Sequence, residues 1–311
     1  MRSRLTCTAA LLASLLCAAP MAAMADDGTT PAASTPAPTP NDNAGYGNSI
    51  GEFFRNWFAR SDAAKAAQPH WMTPLVTVTP LLQQEVRYDQ YWQHLGNGAN
   101  IDQYFSGKGL ELIPTHTEEI LLNPPAYLDR SVKAPVQGWG DDPFLVVKQR
   151  LLTANEQEGN YIVTAFLGLQ APTGIAAFTA NSWLITPTIA AGKGWGDFDI
   201  QSTFSVAIPT QYGNLLGTAL SWNTAFQYHF ARYFWPEIET NLTHWDGGLR
   251  AGKTQLFLTP GVILGRFPLY DRLSFVIGAG YQFAVSPSVT EKPVLTPLYN
   301  HAFLITVRTP F

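Results

Sequence analysis

Cysteine is scarce in this 311-residue chain, which contains only Cys7 and Cys17. Both lie in an opening stretch that carries Arg2 and Arg4, an uncharged apolar run, and the small-x-small sequence AMA at residues 23–25. This order is typical of a secretory signal peptide cleaved after Ala25, and the apolar run is shorter than the roughly 20 residues that a membrane-spanning helix needs. We therefore expect an exported protein without disulfides, cysteine-ligated metal or a cysteine nucleophile.

Charge and long apolar runs are also scarce. Charged residues make up 14% of the chain, below the roughly 25% usual for soluble domains. The net charge is −4 and there is no basic cluster, which argues against nucleic acid as a partner. Residues 159–192 carry no charge, but Gly, Pro and Asn interrupt them. They predict two strands joined by residues 171–181 rather than a transmembrane helix.

Two different segments follow the signal peptide. Residues 26–48 are rich in Pro, Ala, Ser and Thr and predict a flexible linker. Residues 49–68 place apolar side chains at the spacing of one helix face; these are Ile50, Phe53, Phe54, Trp57 and Phe58. The pattern predicts a short amphipathic helix. Three alternatives remain for its aromatic face: it packs on a protein core, lies against lipid, or plugs the lumen of a barrel.

From Trp71 onward the apolar pattern has a period of two, in segments of about ten residues separated by turn residues, which is typical of β-strands. Two architectures fit this pattern: a soluble sandwich or barrel with an apolar core, and a membrane barrel with apolar residues facing lipid. The low charge favours the membrane barrel. Aromatic residues near strand ends do so as well, because membrane barrels place aromatic belts there. These residues are Tyr88, Tyr91, Trp92, Tyr161, Trp183, Phe234, Trp235 and Trp245.

The last strand supports the same architecture. Phe303, Ile305, Val307 and Thr309 alternate with other residues up to the final Phe311. An alternating last strand that ends in Phe resembles the signal read by the outer-membrane barrel assembly machinery. We therefore expect that machinery as a partner, outer-membrane lipid around the barrel, and a location in the bacterial outer membrane.

The number of strands depends on Pro80. The predicted segments begin near Trp71, Leu82, Leu110, Phe144, Tyr161, Trp183, Phe198, Thr218, Phe234, Thr254, Leu273 and Asn300. Joining the first two would give eleven, but Pro80 lacks the N–H that a ladder needs, and single-chain bacterial barrels have even strand numbers. The sequence thus predicts an all-β, antiparallel up-and-down transmembrane barrel over residues 69–311, with 12 strands favoured over 10 or 14. With Phe311 periplasmic, residues 172–181, 209–216, 246–253 and 285–298 become extracellular loops.

One motif suggests nucleotide chemistry. Residues 247–254, GGLRAGKT, satisfy the phosphate-loop pattern through Lys253 and Thr254. Such a loop needs a following helix to bind phosphate, whereas the next residues alternate like a strand, so we interpret the match as accidental. His116 and Glu118 could hold a cation, but the six histidines lack metal-ligand spacing. No segment resembles a nucleophile elbow. The sequence predicts no catalytic residue, no cofactor and no metal.

Polar and charged residues on the opposite strand faces predict a polar lumen, because Lys or Arg facing lipid at the midplane would cost about 2–4 kcal/mol. The charged residues expected to line the lumen are Glu85, Arg87, Asp89, Lys148, Arg150, Asp199, Glu237, Glu239 and Arg308. Twelve strands enclose less space than the roughly 16–18 of general porins. We therefore expect small conductance steps, and larger steps when residues 26–68, which contain the helix, are deleted.

Four stretches, at residues 68–93, 107–116, 167–174 and 191–210, resemble a family of bacterial outer-membrane proteins assigned to transport in the meta pathway of phenol degradation. The residues that match its P-x-G and G-x-G-D-x-D motifs are Pro172, Gly174, Gly194, Gly196, Asp197 and Asp199. The resemblance covers about residues 69–311. It implies a barrel that passes small solutes, including aromatic ones, across the outer membrane, and it brings no catalytic residues.

Together these features predict a non-enzymatic outer-membrane channel for passive or gated uptake of small solutes. Two alternatives stay open. One is a barrel that transports nothing and serves as a scaffold or adhesin. The other is a barrel-embedded lipid hydrolase, which would need a serine and a histidine facing lipid at one height on adjacent strands.

Overall fold

The computed structural model of the protein describes residues 50–105, 108–286 and 299–311. The predicted signal peptide and linker lie outside the described residues, as does most of the predicted loop at 285–298. The predicted amphipathic helix is divided at Asn56 into α1 (Ile50–Arg55) and α2 (Trp57–Ala66), and a third short helix, α3, spans Gly213–Leu216. None of the helices in the described residues is long and apolar enough to cross a membrane.

Most of the described chain is β-structure. The strand segments are β1 Glu85–His94, β2 Asn100–Tyr104, β3 Leu110–Leu112, β4 Glu118–Leu122, β5 Tyr127–Arg130, β6 Val136–Trp139, β7 Asp142–Ala154, β8 Tyr161–Ala171, β9 Leu184–Trp195, β10 Phe198–Pro209, β11 Thr218–Tyr228, β12 Phe234–Asp246, β13 Thr254–Tyr270, β14 Leu273–Ser286 and β15 His301–Pro310.

The strands close into an antiparallel barrel, because β15 pairs with β14 on one side and with β1 on the other. The closing pair runs from Glu85 opposite Pro310 to His94 opposite His301. Three wall positions are each shared by two segments. Segments β2 and β3 both pair with β1. Next to them, β5 pairs with β2 and β4 pairs with β3. Beyond these, β6 pairs with β5 and β7 pairs with β4. The closed wall therefore has twelve strand positions.

The predicted number of strands is confirmed, although two assignments behind it are wrong. Residues 71–82 form no strand, so the expected break at Pro80 does not separate two wall strands. Residues 118–130, which the predicted segments omit, form β4 and β5. Pro124 and Pro125 split that wall position into two short pieces and weaken its strand signal. The two errors cancel in the count.

The barrel has a polar interior and an apolar exterior. Along β10, Asp199, Gln201 and Thr203 are buried, whereas Phe204 and Ile208 on the other face are exposed. Large apolar side chains are likewise exposed around the wall; they include Val86, Leu167, Ile185, Ile189, Trp222, Ile238, Ile277 and Phe303. Such a surface suits lipid rather than water, so the distribution is that of a transmembrane barrel.

Not every aromatic residue near a strand end joins the exterior. Tyr161, Trp183 and Phe234 are exposed as expected for belts, but Trp235 and Trp245 are buried. Trp235 belongs to the main apolar cluster inside the barrel, and Trp245 packs with Ala219 near the end of β12. Proximity to a strand end therefore did not distinguish outward from inward aromatics, because adjacent residues of a strand point to opposite faces.

The two ends of the barrel differ. The connections after β3, β7, β9, β11 and β13 meet at one end, which we call the turn end. The opposite end, the loop end, carries residues 172–183, 210–217 and 247–253. The phosphate-loop-like sequence lies there, and Thr254 begins β13, so no helix follows it, as predicted. Arg250 in this loop is buried with its guanidinium 5.4 Å from the Trp245 ring.

Candidate functional site in the barrel lumen

The lumen contains part of the chain itself. Residues 69–84, which we call the plug segment, lie between α2 and β1 and form no strand. His70 is exposed and Val76 and Val78 are half-buried, while the other residues of the plug segment are buried. Their partners come from strands all around the wall, from β1 to β15. The plug segment therefore occupies the interior that the residue alternation predicts to be a polar lumen.

Two carboxylates of β12 bind the backbone amides of the plug segment. Glu237 accepts a hydrogen bond from the N–H of Leu75 at 3.0 Å. Glu239 accepts two, from the N–H groups of Val76 at 2.7 Å and Thr77 at 2.6 Å. A buried amide without a partner would be costly, so these carboxylates replace the neighbouring strand that a ladder would provide.

Two guanidinium groups bind the carbonyls that precede these amides. Arg87 Nη2 donates to the Leu75 carbonyl at 2.7 Å. Arg308 donates to the carbonyls of Pro74, at 2.8 Å, and Thr73. Pro74 has no N–H, so its carbonyl is the one backbone group of this residue that needs a hydrogen-bond partner. The carboxylates and guanidiniums together bind residues 73–77 by backbone groups alone.

The second half of the plug segment is bound by an ion pair. Lys148 Nζ lies 2.9 Å from Glu119 Oε1, and both side chains are buried. The lysine donates to the Leu81 carbonyl at 3.3 Å, and the glutamate accepts from the Gln83 N–H at 2.7 Å. Pro80 lies in the sequence between Thr77, which Glu239 binds, and Leu81, which Lys148 binds. Its carbonyl accepts a hydrogen bond from Thr164 Oγ1 at 2.6 Å.

Glycines in the wall make room for the apolar side chains of the plug segment. A Cβ atom on Gly192 would lie 2.5 Å from the Trp71 ring, and one on Gly278 would lie 2.8 Å from Leu75 Cδ2. Gly261 is closer still to Leu75. Any larger side chain at these positions would have to displace the plug segment. The glycines therefore serve as sockets for Trp71 and Leu75.

All nine charged residues expected in the lumen are buried, and most of them bind residues 64–84. Arg87, Lys148, Glu237, Glu239 and Arg308 bond the plug segment directly, as described above. Arg150 donates to the Ala64 carbonyl in the last turn of α2 at 2.6 Å.

The other three lie one step away. Asp89 pairs with Arg87 at 2.9 Å, and Asp199 accepts from Gln201, whose amide also donates to the Met72 carbonyl. Glu85 is buried within electrostatic range of Arg87 and Arg308.

Several partners of the plug segment were absent from the predicted set, namely Glu119, Thr164, Gln201, Arg266 and the socket glycines. One signal in the sequence pointed to them indirectly. Pro74 and Pro80 both interrupt residues 71–82, and two prolines in one short run argue against any central strand. An extended segment that cannot join a ladder needs side-chain partners for its backbone, which the wall provides.

A cavity adjoins the plug segment on each side. One, of about 250 Å³, extends to Gln170 and Thr186 near the loop end and is also lined by Thr79, Lys148, Phe166 and Asn223. The other, of about 420 Å³, lies at the turn end beside His70, Trp71, Asp199, His229, Trp235 and Arg266. Both are large enough for several waters or a small solute. The plug segment contributes lining residues to both cavities, so it lies between them.

Helix α2 lies across the turn end rather than in the lumen. Arg60 Nε donates to the Pro114 carbonyl at 2.7 Å, and Lys65 Nζ lies 3.4 Å from the Phe311 carbonyl. The hydrogen-bonded guanidinium of Arg272 lowers the pKa of the Asp62 carboxyl below its usual value. On the aromatic face, Ile50 and Phe54 are 79% and 63% exposed. The structure thus assigns the interior to the plug segment and not to the aromatic helix.

No group of three or more His, Cys, Asp or Glu side chains in the described parts of the chain could hold a metal ion. His116 is exposed, and Glu118 accepts a hydrogen bond from Thr115. The motif residues of the family resemblance have other partners. Gly194 lies against Trp71 and Asp199 bonds Gln201, so part of that motif supports the plug segment.

No family model matches this chain, and no curated protein matches it in sequence. Several solved structures are similar to it in shape. The COG4313 outer membrane channel from Pseudomonas putida F1 is 14% identical, with 72% of this chain and 92% of that chain covered and a TM-score of 0.47. The NanC porin is 10% identical, with 71% and 98% covered and a TM-score of 0.46. OmpF of Salmonella typhi is 8% identical, with 73% and 96% covered and a TM-score of 0.35.

Proposed function

We propose that this chain is an outer-membrane channel for small solutes, closed in the described state by residues 69–84. The observation that carries the proposal is the plug segment itself, which lies between two cavities and is bound by side chains instead of by a backbone ladder. A closed passage through a polar lumen has an evident use in transport. A barrel serving only as a scaffold has no need for a separately bound segment in its interior.

The mode of binding allows the plug segment to leave without breaking the wall. Its backbone groups bond side chains of Glu237, Glu239, Arg87, Arg308 and Lys148. Hydrogen bonds to charged groups contribute about 1.5–3 kcal/mol each. A change of about 1.4 kcal/mol in the relative stability of closed and open states alters their ratio tenfold. Modest perturbations of this contact set are therefore sufficient for gating.

The lining of one cavity supports a particular class of solute. The loop-end cavity has a volume of about 250 Å³ and combines Lys148 and Lys108 with the Phe166 ring. Small solutes with an apolar or aromatic body and a polar group fit this lining, because ligand sites are usually apolar with a few placed polar groups. The family resemblance gives the same class. We include small aromatic solutes in the proposal on these two grounds.

Two truncations test the channel and identify what closes it. One removes residues 26–68, including α1 and α2, and leaves the plug segment; the other removes residues 26–79. Both are purified, and folding of the barrel is verified by heat-modifiable migration before single-channel recording in planar bilayers. We expect the full chain and the shorter truncation to give small conductance steps, and the longer truncation to give larger ones because most of the plug segment is removed.

Either of two outcomes would count against this assignment. If the shorter truncation conducts as widely as the longer one, the helix closes the channel, as first expected from the sequence. If the folded longer truncation does not conduct and small-solute uptake is unchanged in cells without the protein, the scaffold or adhesin alternative is correct. The hydrolase alternative lacks a supporting contact: in the described chain, histidine hydrogen bonds reach Glu156, Asn100, the Arg232 carbonyl and Thr254, and none reaches a serine.

The proposal also includes an orientation, with the turn end periplasmic and the loop end at the cell surface. Lys253, in the loop between β12 and β13, is partly exposed. Protease added to whole cells should cleave there if the orientation is correct. Cleavage at Arg250 is not expected, because that side chain is buried. Protection of Lys253 combined with cleavage at Arg272 on the turn end would reverse the orientation.

A further inference from the structure

Helix α1 projects from the turn end with its apolar side chains uncovered. The structure gives α1 no buried residue. Ile50, Phe54 and Phe58 are 79%, 63% and 45% exposed. They follow one another at intervals of four residues, so they lie on the same side of the helical segment. Exposed apolar side chains concentrated at one place mark a surface that contacts another protein or a membrane.

This apolar face continues onto the exterior of the barrel. The Arg272 guanidinium lies 4.6 Å from the centroid of the Phe58 ring and pairs with Asp62 of α2. Arg272 belongs to the hairpin tip between β13 and β14. The exposed apolar residues at that tip are Leu269, Tyr270 and Leu273, of which Tyr270 is 80% exposed. Helix and hairpin tip therefore form one apolar surface, which we call the rim patch.

The rim patch is at the level where the barrel exterior carries other exposed aromatics. Tyr161, Trp195, Tyr228, Phe230 and Phe234 are all exposed near the turn end. Aromatic side chains are enriched at membrane–water interfaces, where an apolar ring and a polar edge are both satisfied. The exposed aromatics of the wall thus form an interfacial belt near the turn end. The rim patch adds to this belt through α1 and the start of α2, which are not part of the wall.

Charge next to the rim patch also suits a lipid surface. Arg55 is largely exposed and lies 4.0 Å from Glu52. Arg60 lies over the Phe53 ring at 4.2 Å and donates to the Pro114 carbonyl. Basic side chains beside an apolar helix face attract anionic headgroups while the apolar face enters the acyl boundary.

We infer that the aromatic face of α1 and the start of α2, together with the β13–β14 hairpin tip, inserts into the headgroup region of the adjacent bilayer leaflet. The inference rests on the transmembrane placement of the barrel within the proposed function, but not on conduction. Insertion fixes the segment that immediately precedes the plug segment. The lipid surface is thereby a third support of the closed lumen, in addition to the wall side chains and the turn-end contacts.

Single cysteines test the inference directly, because the chain without residues 1–25 contains none. Phe54→Cys is labelled with an environment-sensitive fluorophore, and Ala63→Cys serves as the control. Ala63 is exposed and is nine residues farther along the chain, which is half a turn away on a helix. The labelled full chain is refolded into vesicles of phosphatidylethanolamine and phosphatidylglycerol at high lipid-to-protein ratio. Lipids carrying spin-label quenchers at shallow and deep positions then report depth.

We expect a blue-shifted emission at position 54, quenched most strongly by the shallow label at a depth of about 5–10 Å. Position 63 should remain unshifted and accessible to aqueous iodide. Aqueous exposure at both positions would overturn the inference. A blue shift at position 54 without lipid quenching would also overturn it, in favour of contact between copies. The measurement requires only a folded barrel, so its failure leaves the channel proposal unaffected, and a failed conductance assay leaves this inference unaffected.

Discussion

Strand β15 and the plug segment each contain a run of alternating apolar and polar residues, at 305–308 and 76–79, yet they are held in opposite ways. β15 has a backbone ladder on each side, to β14 and to β1. Residues 71–82 of the plug segment form no strand, and amides and carbonyls among them bond side chains of the wall. The backbone bond from the Phe311 N–H reaches Gln84, at the very end of the segment. Ladder bonds in a closed barrel form and break together, whereas side-chain contacts can be removed one at a time. The comparison implies one cooperative wall and one separable occupant.

The largest effect should come from damage to the wall at Phe311. Deleting this residue removes the end of the proposed assembly signal and also the amide that donates to the Gln84 carbonyl. We expect secretion to continue while outer-membrane insertion falls and the protein is degraded in the periplasm. Heat-modifiable migration of membrane fractions measures this, with Phe311→Tyr as the matched control. Normal levels of the folded truncated protein would contradict the C-terminal signal.

A change in the plug contacts should open the lumen and leave the wall intact. Glu239→Ala removes the acceptor of two amides, and hydrogen bonds to charged groups contribute about 1.5–3 kcal/mol each. The open state should therefore be favoured at least about tenfold. Labelling of Val76→Cys by a membrane-impermeant thiol reagent measures the change.

Glu118→Ala is the control for this experiment. It removes the same charge from a carboxylate that bonds Thr115 rather than the plug segment. Labelling of Val76→Cys in the Glu118→Ala chain should stay at the level seen when Val76→Cys is the sole substitution. Equal labelling in the two variants would mean that the β12 carboxylates do not hold the plug segment.

A smaller effect is expected from filling a socket. Gly261→Ala places a methyl group against Leu75, and overpacking of this kind costs about 1–3 kcal/mol. Opening should increase, and Leu75→Ala in the same chain should reverse part of the increase because it vacates the space. Gly213→Ala, where nothing lies within 4 Å, is the control. Additive effects of the two substitutions on thiol labelling would show that Leu75 does not occupy this socket.

The smallest effect should be the pH dependence of helix docking. The Asp62 pKa is lowered by its hydrogen bond to Arg272, so the carboxylate stabilises docking above its ordinary pKa and loses this contribution as pH falls through the lowered value. The side chains are partly exposed, which limits the effect to about 0.2–1 kcal/mol.

Spin labels at Ala63→Cys and Tyr270→Cys report the distance between helix and hairpin tip. We expect the distance distribution to broaden at acid pH in the wild-type background. In Asp62→Asn it should be broad at every pH. If the distance distribution broadens at acid pH to the same extent in both backgrounds, titratable groups other than Asp62 cause the response.

Much of the wall was predictable because period-two alternation is a direct consequence of placing a strand between two environments. Ile305 and Val307 alternate with Thr306 and Arg308, and the structure buries the polar pair. The inward direction of the nine charged residues follows from the same rule. What these residues bind does not follow, because partners such as Arg308 and Pro74 are separated by more than two hundred positions in the chain.

Residue alternation and low charge are enough to predict that this chain forms a transmembrane barrel. In lipid every backbone amide and carbonyl must be paired within the protein, and alternating strands with inward charge satisfy that condition only when the sheet is closed. The position of residues 69–84 inside the barrel follows only from contacts made in the folded chain. An extended segment has the same alternation whether it pairs with a neighbour or crosses a lumen. The choice depends on Pro74 and Pro80, which cannot complete a ladder, and on distant carboxylates, guanidiniums and glycine sockets that together accept the segment.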